Sequence, residues 1–176
     1  MVLASQSIPV KIEAKVAYDE ANALYDLQFF AMGTSCKVLF AAPDQQTARA
    51  FAQEAVHWVA HFEGKYSRFR DDSLISEINR NAGKGWTAVD GEVESIFGIC
   101  DELNHMTHGV LDPTMHPLIS LWDFKKERSA LPSDSEVEEA MRLVGWSKVQ
   151  RKARAVRLPD EGMALDFGGF GKEYAV

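Results

Sequence analysis

The stretch from Gln45 to Phe62 carries the helical period, with Phe51, Ala55, Trp58, Val59 and Phe62 on one face. Directly before it, Gln28 to Ala41 carries the other period. There Cys36, Val38 and Phe40 alternate with Lys37 and Leu39, and Pro43 and Asp44 make the turn between the two segments. A strand that feeds at once into an amphipathic helix constrains the fold strongly. It points to a mixed class, in which helices are interleaved with short antiparallel strands. Gly33 interrupts the strand pattern, as a bulge or a close backbone approach does.

The rest of the chain extends this mixed pattern. Residues 1–25 show no strong period and read as an arm or a short helix, so the domain is expected to run from 28 to 176 after an arm at 1–27. Asp72 reads as the N-cap of a short helix from Ser73 to Asn79, with Leu74 and Ile78 inward. A longer helix is expected from Gly91 to Met106, striped by Val93, Ile96, Phe97, Cys100 and Leu103, with Gly109 as its C′ stop. Ser133 and Glu136 form a capping box, and Val137, Ala140, Met141 and Val144 continue that helix until Gly145. Trp146–Gln150, Arg154–Leu158 and Met163–Asp166 read as three short strands. Leu118, Leu121, Trp122 and Phe124 are expected in the core. The class is α+β, in one domain.

Charge excludes some functions. Lys plus Arg is 19 against 26 for Asp plus Glu, a formal charge of −7. No basic stripe suits nucleic acid. The densest basic stretch, Lys148 to Arg157, is broken by Val149, Ala153 and Val156 and reads as the wet face of a hairpin. No apolar run approaches the roughly 20 residues of a membrane span. Met1–Val16 has neither the pattern of a secretory signal nor a cysteine for a lipid anchor, so a cytoplasmic or already trimmed protein is expected.

Several constellations invite a chemical reading. His57 and His61 have the spacing of two zinc ligands on a helix, but Trp58 stands where a zincin has glutamate, and two surface histidines are the better reading. His105, His108 and His116 lie near Asp112, and His105 and His108 suit a helix C-terminus. No G-x-S-x-G elbow occurs, and Cys36 and Cys100 read as inert. In the run from Ala164 to Glu173, Asp166 precedes Gly168, Gly169 and Gly171, then Lys172 and a helix. This is either a phosphate-binding loop or a plain glycine turn, and it fits neither G-x-x-x-x-G-K-[ST] nor G-x-G-x-x-G. Asp112, held extended before Pro113, either bonds a ligand or orders its turn.

Taken in order, four segments resemble the ApbE family of FAD:protein FMN transferases. They are Phe30–Thr34; Tyr66–Ser73 with Ser76–Asn79; Gly109–Thr114 with Pro117-Leu118 and Leu121-Trp122-Asp123-Phe124; and Leu165–Lys172. The resemblance implies a T-fold-like architecture, with helices packed on an antiparallel sheet. It also implies FAD as substrate, magnesium, and transfer of FMN to a threonine or serine hydroxyl of a target flavoprotein. Members of the family are often exported.

Carried over residue by residue, the resemblance makes Met32, Phe69, Val110, Leu111, Asp112, Asp166 and Lys172 contacts of FAD, and Gly169 a main-chain magnesium ligand. Read from the residues alone, each of the side chains has a structural alternative, as core or turn. Glu173 departs from the glycine usual after the lysine. The family pattern continues past Val176, so the acidic and threonine-type magnesium ligands and part of the cleft are expected beyond this chain. Its C-terminal part then counts as missing. Whether the chain turns over alone is left open, with a non-catalytic FAD-binding or scaffold protein as the alternative. The shortfall implies either a truncated or split gene product, or association with a second copy or a partner chain that completes the sheet.

Overall fold

The structure, a computed structural model, describes residues 10–122 and 130–175. Strands β1 (Ala14–Asp19), β2 (Leu24–Ala31) and β3 (Thr34–Phe40) form an antiparallel sheet in that order. The expected single strand from Gln28 to Ala41 is therefore a hairpin. Ala31 pairs with Thr34 across a two-residue turn, in which Met32 and Gly33 both take positive φ, 51° and 72°. Two left-handed residues in succession match the right-handed twist of the flanking strands, so the chain reverses at Gly33 instead of bulging.

The region read as an arm or short helix contains β1, which pairs with β2 from Ala14↔Phe29 to Asp19↔Leu24. Only Val16 and Asp19 of β1 are even half-buried, so the strand lacks the apolar alternation that would reveal it. On β2 the alternation is strict: Tyr25, Leu27, Phe29 and Ala31 are buried.

Helix α1 (Gln45–Tyr66) starts at Asp44, whose carboxylate accepts from the Thr47 amide at 2.7 Å. It lies on the buried face of the sheet. Of the expected stripe, Val59 and Phe62 are buried and Ala55 packs half-buried against the sheet cluster. Ala48, Ala52 and Val59 face the sheet, while Phe51 and Trp58 remain 45% and 37% exposed on its flank. Small alanines let the helix axis approach the sheet, and the large rings are displaced sideways. Phe51 packs on Phe40 with ring centroids 4.4 Å apart, and Trp58 Nε1 donates to the Ala175 carbonyl at 3.0 Å.

The main core joins the end of α1 to α2 (Leu74–Arg80), α3 (Gly91–Met106) and the C-terminal segment, around Ile75, Ile78, Ile96, Phe97, Leu158 and Leu165. Ser73, not Asp72, caps α2, accepting from the Ser76 amide, while Asp72 pairs with Arg70 at 2.7 Å. Ile75, Ser76 and Ile78 are its buried residues and Leu74 is half-buried. Helix α3 has the expected limits and stripe, with Leu103 half-buried. Thr107 is its C-cap, so His108 and not Gly109 stands at C′, and both are left-handed.

Helix α4 (His116–Ile119) runs into a 3-10 turn at Ser120–Trp122. Leu118 and Leu121 are half-buried, Trp122 is exposed rather than core, and Phe124 lies outside the described residues. The capping box of α5 (Asp134–Arg142) is formed in both directions. Met141 is exposed on that helix, and Val144 lies beyond it.

A second antiparallel sheet has the order β4-β6-β5, from β4 (Thr87–Ala88), β5 (Gln150–Lys152) and β6 (Ala155–Arg157). The β5–β6 hairpin keeps Val156 inside and Arg151, Lys152 and Arg154 outside. Trp146–Lys148 is a 3-10 turn, and Met163–Asp166 is not a strand. The chain ends in the short helix α6 (Gly171–Ala175).

Candidate functional site

The segment Met163–Asp166 is buried without a ladder, so its main-chain groups need other partners. Asn79 on α2 supplies them. Its Nδ2 donates to the Leu165 carbonyl at 3.0 Å, and its Oδ1 accepts from the Leu165 amide at 2.7 Å. The Asp166 amide donates to the Pro113 carbonyl at 2.8 Å. These bonds wedge the segment between α2 and the loop Asp112–Thr114, and leave the Asp166 side chain pointing at the following turn.

One oxygen of Asp166 accepts from Arg68 Nε at 2.7 Å and the other from the Gly168 amide at 2.8 Å. A Cβ on Gly168 would sit 3.1 Å from Asp166 Oδ1, and one on Gly171 3.3 Å from the Phe62 ring. A side chain at either position would press on a neighbour, the Asp166 carboxylate at one and the Phe62 ring at the other. Gly169 has open space around it.

Two cavities meet here. A cleft of about 480 Å³ is lined by Met32, Glu63, Arg68, Phe69, Asp166 and Lys172, among others. Beside it, a slot of about 270 Å³ is lined by Val110, Leu111, Asp112, Met115, Gly169 and Phe170. Asp166 and Gly168 border both, so the carboxylate stands on the partition. All eight residues inferred from sequence therefore fall on two adjoining cavities.

Their situations differ. Phe69 is 70% exposed, with the Arg68 guanidinium 4.0 Å from its ring centroid, and so is not a core residue. Met32 is half-buried against both hydrophobic clusters, and its amide donates to Glu63 Oε2 at 3.1 Å. Val110 is 83% exposed, whereas Leu111 packs on the core. Asp112 is occupied internally. Its Oδ1 accepts from the Thr114 amide and hydroxyl at 2.7 and 2.6 Å, and its Oδ2 accepts from the Trp146 amide at 2.8 Å. Thr114 Oγ1 in turn accepts from the Gly145 amide at 2.7 Å. Glu173 lines neither cavity.

Four participants escaped the site reading. Arg68 and Asn79 act through partners far along the chain, which no local pattern reveals. Glu63 looks like one more polar residue on α1. Phe30 lines the cleft from the end of β2. Its signal was present, because adjacent aromatics in an alternating strand must put one ring on the wet face. His116 also lies within electrostatic reach. Burial pushes its imidazole below the ordinary value, Arg68 adds to this and Asp166 opposes it.

The remaining candidates lie elsewhere. His57 is exposed on α1, and His61 Nε2 lies 2.9 Å from Glu92 Oε2. Glu92 also accepts from Lys65 Nζ at 2.9 Å and the Tyr66 hydroxyl at 2.8 Å. Burial alone would raise the Glu92 carboxyl, but the bonds from Lys65, His61 and Tyr66 outweigh it and hold it below the usual range. Burial pushes the Cys100 thiol up to about 12, which keeps it protonated and inert. Among the described residues, no group of three or more His, Cys, Asp or Glu is placed to hold a metal ion.

The sequence model of the ApbE family matches residues 32–176. The chain belongs to the ApbE family. FAD:protein FMN transferase of Treponema pallidum (strain Nichols) is 23% identical over 158 residues, covering 85% of this chain and 44% of that protein. The enzyme of the same name from Vibrio cholerae serotype O1 is 26% identical over 148 residues, covering 82% and 44%. Among solved structures, the ApbE protein of Thermotoga maritima superposes with a TM-score of 0.76 at 29% identity, covering 86% of this chain and 50% of that one. The flavin transferase ApbE of Vibrio cholerae gives 0.76 at 21% identity, covering 93% and 52%. This ApbE chain therefore has the α+β fold of the ApbE flavin transferases and spans about half the length of the relatives it matches.

Proposed function

We propose that this ApbE-family chain binds FAD across the two adjoining cavities and supplies that half of an FMN transferase site. The observation that carries the reading is the partition. Asp166 stands between two cavities, neutralised by Arg68 and the Gly168 amide, with the Lys172 ammonium on the cleft side. A ligand with a flat group at each end and an anionic centre matches two cavities flanking a glycine-rich partition whose carboxylate is neutralised, with the Lys172 cation beside it. The exposed Phe69 ring offers a stacking surface, and Met32 a polarizable one. Both cavities together lie within the range of roughly 300–1,000 Å³ usual for small-molecule sites.

Bound FAD would supply the FMN group that is transferred to a threonine or serine hydroxyl of a target flavoprotein. The residues of this chain bind and orient it. Magnesium belongs to this reading through the Gly169 carbonyl, and its other ligands would come from outside the described residues. Association with a second copy or a partner chain that completes the sheet is also part of the proposal. Residence in the cytoplasm is likewise part of the proposal; among the described residues no helix is long and apolar enough to cross a membrane.

One observation favours binding without turnover by this chain alone. Both oxygens of Asp112 and of Asp166 are bonded internally, so neither carboxylate is set up to move a proton or hold an ion. Incubation with FAD and magnesium tests this. Saturable quenching of flavin fluorescence without AMP release is expected. AMP release would overturn the non-catalytic reading, and absence of quenching would overturn FAD binding.

A further inference from the structure

We propose that Glu63 positions both walls of the FAD cleft, its carboxylate holding Met32 in the left-handed turn and its main-chain carbonyl anchoring the loop that carries Arg68 and Phe69. The proposal rests on the FAD reading above. Met32 is the first residue of the β2–β3 turn, with φ 51°. Side chains other than glycine resist this conformation. A two-residue turn also leaves the amide of its first residue outside the ladder, because Ala31 and Thr34 form the last pair. Glu63 Oε2 accepts from that amide at 3.1 Å, across thirty-one residues of sequence.

The other wall starts from the same residue. The Ser67 amide donates to the Glu63 carbonyl at 3.1 Å, closing α1. Ser67 Oγ then accepts from the Phe69 amide at 3.3 Å. Met32, Glu63, Arg68 and Phe69 all line the one cleft. A carboxylate at Glu63 thus fixes the spacing between the Met32 turn and the ring of Phe69. Glu63 is a positioning residue, acting on the ligand through Met32.

The test compares FAD affinity by fluorescence titration in Glu63→Ala, Glu63→Asp and Glu63→Gln, each with Met32 and with Met32→Gly. Loss of one charge-assisted bond predicts affinity about tenfold weaker in Glu63→Ala. Glu63→Asp should behave like it, because its carboxylate falls short of the amide. Glu63→Gln retains an acceptor oxygen and should stay within about threefold. With glycine at position 32 the left-handed turn needs no support, so the Glu63→Ala effect should nearly vanish. Amide exchange at Met32 in the ligand-free protein should speed up in Glu63→Ala and Glu63→Asp. Wild-type affinity in Glu63→Ala, an equal loss in the Met32→Gly background, or unchanged exchange would overturn the proposal. Failure of the wild type itself to bind FAD would instead overturn the FAD reading, and the exchange measurement would still decide the anchor.

Discussion

Asp112 and Asp166 begin as equals in the sequence, each an aspartate beside a turn and a helix, and the structure gives them opposite tasks. Asp112 gathers three donors, including the buried Thr114 hydroxyl and the Trp146 amide. Removing it strands buried polar groups, so Asp112→Ala should destabilise by about 2 kcal/mol or more in denaturant unfolding. Val110→Ala, at an exposed site on the same loop, should stay within about 0.5 kcal/mol. Asp166 orients Arg68 on the partition between the cavities, so Asp166→Ala should weaken FAD binding by about tenfold in a fluorescence titration. Sequence left Asp112 open between ligand and turn because its partners, Gly145 and Trp146 through Thr114 and directly, lie across the fold. Phe69 was likewise open between ligand and core, and its 70% exposure decides against the core.

Elements built from local interactions were the legible ones. The capping box of α5 and the stripe of α3 are contained within a few turns, and both appear as read. Ser133→Ala should therefore cost about 1 kcal/mol of stability, measured by thermal unfolding. Elements that depend on distant partners were not legible. Strand β4 exists only through Thr87↔Val156 and Ala88↔Ala155. Met163–Asp166 has the alternation of a strand but takes its hydrogen bonds from Asn79 and Pro113.

The tie between α3 and β5 has a pH signature. Burial would raise the Asp101 carboxyl, but bonds from Arg151 and Trp146 outweigh it and hold it below its ordinary value. A lowered carboxyl stabilises fully above the unfolded value, about pH 4, and that stability is lost as pH falls through the lower folded value. Acid unfolding followed by circular dichroism should thus be less steep in Asp101→Asn. His116 adds an earlier loss. Its lowered imidazole favours the folded state above about pH 6.5, and this is lost as pH falls through the folded value. His116→Gln should remove that component.

At the scale of the whole molecule, the resemblance rested on the order of four segments, and three dimensions explain that order. Phe30–Thr34 makes the hairpin turn, Tyr66–Ser73 the opposite wall, Gly109–Thr114 the slot, and Leu165–Lys172 the partition. Composition could exclude a nucleic-acid groove but could not show that these segments converge, because convergence is set by the packing of α1, α2 and the C-terminal run. The third segment also includes Leu121–Phe124, of which the structure describes Leu121 and Trp122. On the proposed function, the two cavities form one site for one elongated ligand. Equilibrium titration of the protein with FAD, FMN and AMP measures this directly. Saturable binding is expected, with FAD tighter than either fragment and a loss of about tenfold in Lys172→Ala. FAD that binds no better than FMN or AMP, or binds unchanged in Lys172→Ala, would contradict it.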